Sequence, residues 1–276
     1  MLVLTLRAQQ QRGSMPMHDQ GLLLLYLWDK RTFYLSHFDQ PLQLSQAACM
    51  LVIGLDGPLR LRNGAGEALC RSALAPAGAA FDADSCGSRI AMCFLDVFGA
   101  DWRRLQPRFA RQLGELALDL DDEAQWIERF SSLRGEAAEP AQVWQWLELL
   151  INPQGLPWEA PPCDPRVMHA VELIKRDVAR NPSIESLARQ VALSVPRLTQ
   201  LFRQHVGIPI RRYRQWHRLF VTSVGVAQGL SLTDAAIAAG FTDSAHFNHT
   251  FRTILGMTPS SVLARSRGVR LFVERA

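Results

Sequence analysis

The sequence predicts an α+β protein of two domains: a β-rich N-terminal domain with helices behind it, and an all-α C-terminal domain holding two helix-turn-helix units. Three observations predict this. Apolar runs of strand length, punctuated by Gly, Pro and Asn, fill residues 21–98, the pattern of a β-sandwich or barrel. A proline-dense stretch from Asn152-Pro153 to Asp164-Pro165 divides the chain, and prolines at that density stop helices and favour a semi-stiff linker. Beyond it the apolar period is helical, and one helix pair occurs twice. A chain of 276 residues also exceeds one ordinary compact domain. The boundaries that follow are 1–150, a linker at 151–163, and 164–276.

In the first domain the apolar runs are Leu22–Trp28, Cys49–Ile53, Leu59–Leu61, Ala68–Leu74 and Ile90–Val97. Turn signals such as Gly54-Leu55-Asp56-Gly57-Pro58 and Asn63-Gly64 separate them. From Asp101 those signals thin out, and a helical spacing follows in Trp126, Ile127, Phe130 and Leu133. Glu139-Pro140 opens a further helix with Val143, Trp146, Leu147 and Leu150 on one stripe. That stripe suits packing against the β-domain and a dimerisation face equally well.

The second domain reads as helices throughout. Arg166–Arg180 places Val167, Ala170, Val171, Ile174 and Val178 on one face. A short helix over Ile184–Ala192, a Leu193-Ser194 turn and a helix from Pro196 to about His205 make the first unit. Gly207 ends it, and Pro209 opens a long Arg-rich helix to about Gln228. The pattern then repeats. Ser231-Leu232-Thr233-Asp234 is a capping box, Ala235–Ala239 is the short helix, Gly240 the turn, and Asp243–Leu255 the second helix. Ser183 matches Ser231, Ala188 matches Ala236, Ala192 matches Gly240, Phe202 matches Phe251 and Gly207 matches Gly256. The scaffold positions agree while the outward positions differ, which suits reading two half-sites in successive major grooves.

Charge supports a polyanion partner for this half. Residues 164–276 hold 16 Lys and Arg against 7 Asp and Glu, a net +9, whereas residues 1–163 hold 14 against 19, a net −5. The basic residues there are nearly all Arg, whose planar fork suits phosphates and guanine edges. Cys49, Cys70, Cys86, Cys93 and Cys163 show no zinc-ribbon or redox spacing, so they read as small, mostly buried residues of a reducing compartment. The apolar run Leu22–Leu27 is too short to span a bilayer, and the N-terminus is a poor signal peptide. A cytoplasmic protein with no membrane partner is expected.

The stretch Ala236-Ile237-Ala238-Ala239-Gly240-Phe241-Thr242-Asp243-Ser244-Ala245-His246-Phe247, with Phe251-Arg252, Gly256 and Thr258-Pro259, resembles the signature of the AraC/XylS family of transcription regulators. Arg218-Leu219 resembles part of the family's linker helix. The resemblance covers about Val167 to Val262. It implies a DNA-binding domain at 164–276, and a cupin-like sensing and dimerisation domain at 1–150. The implied protein is an activator, a homodimer with promoter DNA and RNA polymerase as partners, and a receptor for a possible small-molecule effector. By the same resemblance Pro196, Thr199 and Gln200 face bases in the first unit, and Ser244, Ala245, His246 and His249 in the second. Arg203 and Arg252 lie near phosphate. The family often has Arg where His249 stands and Tyr-Arg where Leu263-Ala264 stand. The second unit is therefore expected to bind DNA more weakly or to read another base. Arg265, Arg267 and Arg270 of the tail supply compensating charge or are simply solvated.

Catalysis, metal and cofactor are not expected. A cupin enzyme needs clustered His and carboxylate ligands, but His18 lies outside the β segment and His37 is its only histidine. An alkyl-transfer repair enzyme needs activated or zinc-bound cysteines, and these are scattered. No effector-binding residues are assigned. Tyr26, Trp28, Phe33, Tyr34, Met50, Met92 and Phe94 suit either a pocket wall or plain core. A ligand-independent regulator stays open as the alternative.

Overall fold

The computed structural model describes residues 22–37, 40–45, 47–95, 98–134, 138–157, 163–259 and 268–273. His18, Leu263, Ala264, Arg265 and Arg267 lie outside the described residues. The β-rich domain holds β1 (Leu22–Leu27), β2 (Thr32–His37), β3 (Leu42–Ser45), β4 (Met50–Gly54), β5 (Leu59–Asn63) and β6 (Gly66–Cys70). There follow β7 (Ser72–Ala75), β8 (Ala80–Asp84), β9 (Arg89–Phe94), β10 (Phe109–Leu113) and β11 (Leu116–Leu120). A last strand, β12 (Gly268–Val273), comes from the far end of the chain. The larger sheet runs β10-β11-β7-β4-β9-β2-β1-β12 and the smaller β3-β8-β5-β6.

Layering explains the strand patterns. In β5, Leu59 and Leu61 are buried and Arg60 is exposed, because the small sheet is covered on one face only. β4 is buried at all five positions. Its Met50 and Val52 meet Leu59, Leu61 and Phe81 of the small sheet, while Leu51 and Ile53 face the helices α1 (Ala100–Leu105), α2 (Glu123–Ser131) and α3 (Pro140–Ile151). A strand covered on both faces loses its polar alternation, which is why the runs read so irregularly.

One expectation is corrected here and one open alternative is decided. The region after Asp101 is not purely helical. The hairpin β10–β11 intervenes, turned at Gly114 with φ +59°, and Leu-Ala-Leu-Asp-Leu in β11 carries its period-2 signal. The stripe on α3 is core: Val143, Leu147 and Leu150 are fully buried against Trp126 and Phe130, with Trp146 half-buried beside them. One buried ion pair secures these helices. Arg31, in the turn after β1, donates to both carboxylate oxygens of Asp101 at 2.7 and 2.8 Å and to Glu148 at 2.5 Å. It thereby ties the sheet to α1 and α3.

The helical domain comprises α4 (Pro165–Arg176), α5 (Ile184–Gln190), α6 (Val195–Val206), α7 (Ile210–Ala227), α8 (Leu232–Ala238) and α9 (Ser244–Leu255). α4 ends at Arg176, one turn before the expected Arg180. Its Val167, Ala170, Val171 and Ile174 share one core with Leu187, Leu198, Phe202, Tyr213, Phe241 and Phe247. The helical domain also rests on the β-domain: the Phe94 and Trp216 rings meet edge to face at 4.6 Å, and Arg212 donates to the Ser45 carbonyl.

Candidate nucleic-acid interface

Each helix-turn-helix unit is set by its caps. Ser183 and Ser194 accept from the Ser186 and Arg197 backbone N–H groups at the starts of α5 and α6. Ser231 and Asp243 accept from Asp234 and His246 at the starts of α8 and α9. A cap of this kind is worth about 1 kcal/mol, and it fixes where the helix begins. The His246 backbone N–H and the Thr242 hydroxyl hold the Asp243 carboxyl below its ordinary range. The Ser194 cap starts α6 at Val195 and so makes Pro196 its second residue, one position later than the sequence pattern implied.

Helix geometry then sorts the side chains. In α6, Leu198, Leu201, Phe202 and Val206 point into the domain core. The opposite side carries Pro196, Thr199, Gln200 and Arg203, all exposed. In α9, Phe247, Thr250 and Ile254 are buried, and Ser244, Ala245, His249 and Arg252 are exposed on the other side. His246 is half-buried, its ring edge-on to Phe241 at 5.3 Å and its Nδ1 at 3.2 Å from the Thr242 hydroxyl. The expected groups therefore gather on two outward faces. Gln200 Oε1 accepts from Arg197 at 2.9 Å, so its amide is held ready on the surface of α6. Thr199 donates its hydroxyl to the Val195 carbonyl, which leaves it only acceptor capacity.

Part of the positive charge is structural. Arg214 donates to the Pro182 carbonyl at 2.5 Å. Arg218 is 8% exposed and lies over the Phe241 ring at 5.9 Å. Arg212 bridges Ser45 of the β-domain and, at 3.4 Å, the Thr253 carbonyl of α9. These three arginines hold the two units and the β-domain together.

Sequence reasoning missed the seam between the domains. An apolar cavity of about 90 Å³ lies there. Leu25, Leu27, Tyr34, Met92 and Phe94 of the large sheet face Trp216, Leu219 and Phe220 of α7 and Phe251 and Leu255 of α9 across it. A second cavity of about 140 Å³ shares Thr32, Phe94, Trp216 and Phe220 with the first and adds Asp29, Lys30, Lys175 and His217. His217 is stacked between Tyr213 and Phe220. Burial, aided by the nearby Lys175 charge, pushes its pKa down to about 4, and its Nε2 has no hydrogen-bond partner among the described residues. Of the seven pocket candidates, Tyr34, Met92 and Phe94 line the apolar cavity and Trp28 the polar one, whereas Tyr26, Phe33 and Met50 are core. A second helical stripe on α7, Trp216 with Phe220, was the one available signal.

Among the described residues no group of three or more His, Cys, Asp or Glu stands together as a metal site. The cysteines are free. Cys49, Cys70 and Cys93 are buried, Cys163 is half-buried and Cys86 is exposed. Burial pushes the Cys70 and Cys93 thiols up to about 12, so neither is an activated nucleophile. Among the described residues no helix is long and apolar enough to cross a membrane.

Residues 187–265 match the family model described as a helix-turn-helix domain. Over 110 residues the chain is 36% identical to the arabinose operon regulatory protein of Escherichia coli strain K12. It is 31% identical over 100 residues to the transcriptional activator RhaS of Escherichia fergusonii. In its C-terminal third the chain is similar to regulators of the AraC/XylS family. The matched stretch is 38% of this chain and 36% of the arabinose regulator, so the likeness lies in the DNA-binding third. The whole fold is shared more widely. ToxT from Vibrio cholerae strain SCE256, solved with an unsaturated fatty acid bound, superposes with a TM-score of 0.57 at 12% identity, covering 86% of this chain and 95% of ToxT. The chain therefore has the two-domain fold of ToxT, a β-rich domain followed by a helical helix-turn-helix domain.

Proposed function

We propose that this chain is a cytoplasmic, sequence-specific regulator of the AraC/XylS family that activates transcription. It reads promoter DNA with α6 and α9 and acts as a homodimer that contacts RNA polymerase. Residues 1–150 form a cupin-like receptor domain, 151–163 the linker and 164–276 the DNA-binding domain. The observation that carries the reading is the pair of outward faces on α6 and α9, free of core duty, on a domain of net +9. Pro196, Thr199, Gln200, Ser244, Ala245, His246 and His249 are the base-reading set, with Arg203 and Arg252 at phosphates. The α3 stripe is core, so the dimer uses another surface.

The effector belongs at the seam. Its apolar cavity abuts a polar one containing Lys30 and Lys175, which fits an amphipathic carboxylate: the apolar part among Leu27, Phe94 and Trp216, the anionic head toward the lysines. The fatty acid bound by ToxT supports the same chemical class. The receptor binds this ligand without transforming it.

Two measurements test the reading. Binding of the full chain to genomic duplex fragments should weaken steeply with salt, as released counterions dictate, and footprints should span two successive major grooves. Palmitoleate should quench Trp216 fluorescence, raise the melting temperature by mass action and change promoter occupancy. Salt-insensitive binding sinks the DNA reading. Fatty acid that leaves melting and occupancy unchanged sinks the effector reading and favours a ligand-independent regulator.

A further inference from the structure

The chain leaves the β-domain at the end of α3, builds the whole helical domain, and then returns. β12 lies parallel along β1, with Leu22 opposite Gly268 and Leu27 opposite Val273. Phe272 is 7% exposed and stacks on Tyr26 at 4.5 Å with planes 10° apart. Val273 packs with Leu27 and with Val224, Val226 and Ala227 at the end of α7. β12 thus touches the sheet and the helix between the two helix-turn-helix units.

We propose that the outer edge of β1 is a strand-acceptor surface, and that β12 is a releasable intramolecular clasp holding the DNA-binding domain against the β-domain. Its position argues for release. Among the described strands β12 is the terminal one of the sheet, joined to it along a single six-residue ladder. Parallel pairing is the weaker kind, and edge elements with few buried contacts open first. Its position also argues for control. Tyr26 of β1 carries the Phe272 stack, while its neighbours Leu25 and Leu27 line the apolar seam cavity. Strand and ligand therefore share one wall. The clasp stands on the pairing alone, and its consequence for DNA rests on the function proposed above.

The test compares the full chain with a chain lacking residues 267–276 and with Phe272→Ala, each first checked for a cooperative melt. Hydrogen exchange reads the clasp. Alternate amides of Leu22–Leu27 should exchange about tenfold faster in the shortened chain, less so in Phe272→Ala, and a synthetic peptide of residues 266–276 should restore protection. Unchanged exchange, or no restoration by peptide, overturns the clasp. A dimer that becomes monomeric on shortening overturns its intramolecular form, because the strand then comes from a second copy. Binding to a random-sequence duplex at low salt reads the consequence. Shortening removes three Arg and one Glu, which by charge alone weakens binding. A gain of about fivefold in affinity is expected instead, as the competent open population rises. A loss or no change overturns the restraining role.

Discussion

The two helix-turn-helix units share a scaffold and differ in what their second helices lean on. The buried side chains of α6 lie in the helical domain's core, to which the β-domain contributes Ala47, with Ala77 and Phe98 packed against it. α9 is divided: Phe247 and Ile254 join that core, while Ile254, with Phe251 and Leu255, also lines the seam cavity. Phe251 and Phe202 match in sequence, yet Phe251 is half-buried and Phe202 is fully buried. Beyond α9, a side chain at Gly256 would stand 3.0 Å from the Gln43 carbonyl. The corresponding Gly207 would meet Ala77 at an ordinary 3.5 Å. The first unit therefore leans on the β-domain through the small residues Ala47 and Ala77. The second borders the seam cavity with the β-rich domain, so a change at the seam should reach α9 before α6. Equivalent positions in a repeat need not have equivalent energetics.

Substitution of the paired phenylalanines probes this contrast most strongly. Phe202→Ala should destabilise by about 3–5 kcal/mol, the ordinary loss for a buried aromatic. Phe251→Ala should lose about half as much or less, because a cavity already adjoins the ring. Urea unfolding measures both, and equal losses would erase the distinction.

Acid tests α7, the helix joining the units. His217 has a folded pKa near 4 against an ordinary 6.5, so the folded chain binds fewer protons than the unfolded chain between those values. The stability from keeping it neutral is complete above about pH 6.5 and is lost as pH falls toward 4. The limit is about 3 kcal/mol. Asp29 and Lys175 are the charged groups acting on it. His217→Phe should flatten the dependence of the urea midpoint on pH across this window; an unaltered slope would place the acid sensitivity elsewhere.

The turns differ by one atom. Ala192 and Gly240 both have positive φ, +52° and +86°, but a side chain at Gly240 would stand 2.8 Å from the Val178 carbonyl. Gly240→Ala should destabilise by about 2–3 kcal/mol, whereas Ala192→Gly should stay within about 1 kcal/mol. Matching effects in thermal melts would mean that the second turn can yield.

The finest contrast lies in base reading. Gln200→Ala should cost about 1–3 kcal/mol at one base pair and leave the other positions unaltered in a randomised-operator selection. Arg203→Ala should weaken binding to all sequences and lower the salt slope by about 1. A wild-type preference profile in Gln200→Ala would remove α6 from the groove.

The helical third was legible because its signals are local. Ser231 with Asp234, Ser194 before Val195, and Gly207 and Gly256 each mark a helix end within a few residues. The β-domain was only partly legible. β4 is apolar on both faces, so its strand period vanished, and β2, β3 and β8 went unmarked between the longer runs. The hairpin β10–β11 was hidden among helical neighbours. The seam cavities were illegible for a different reason. Leu27 and Trp216 are brought together only by the docking of two domains, and no short-range pattern records it. The place of β12 is likewise set by a partner strand at the opposite end of the chain.

That separation has a consequence during synthesis. A ribosome makes β1 early and β12 last among the described strands. At roughly 5–20 residues per second, the roughly 240 residues between them take on the order of ten to fifty seconds. For that interval the nascent β-rich domain can complete its core but not its sheet, and the outer edge of β1 offers unpaired amides to any extended chain nearby. On crowded polysomes the nearest extended chains are other copies of the same protein. The last strand to emerge is then what closes the molecule against its own siblings.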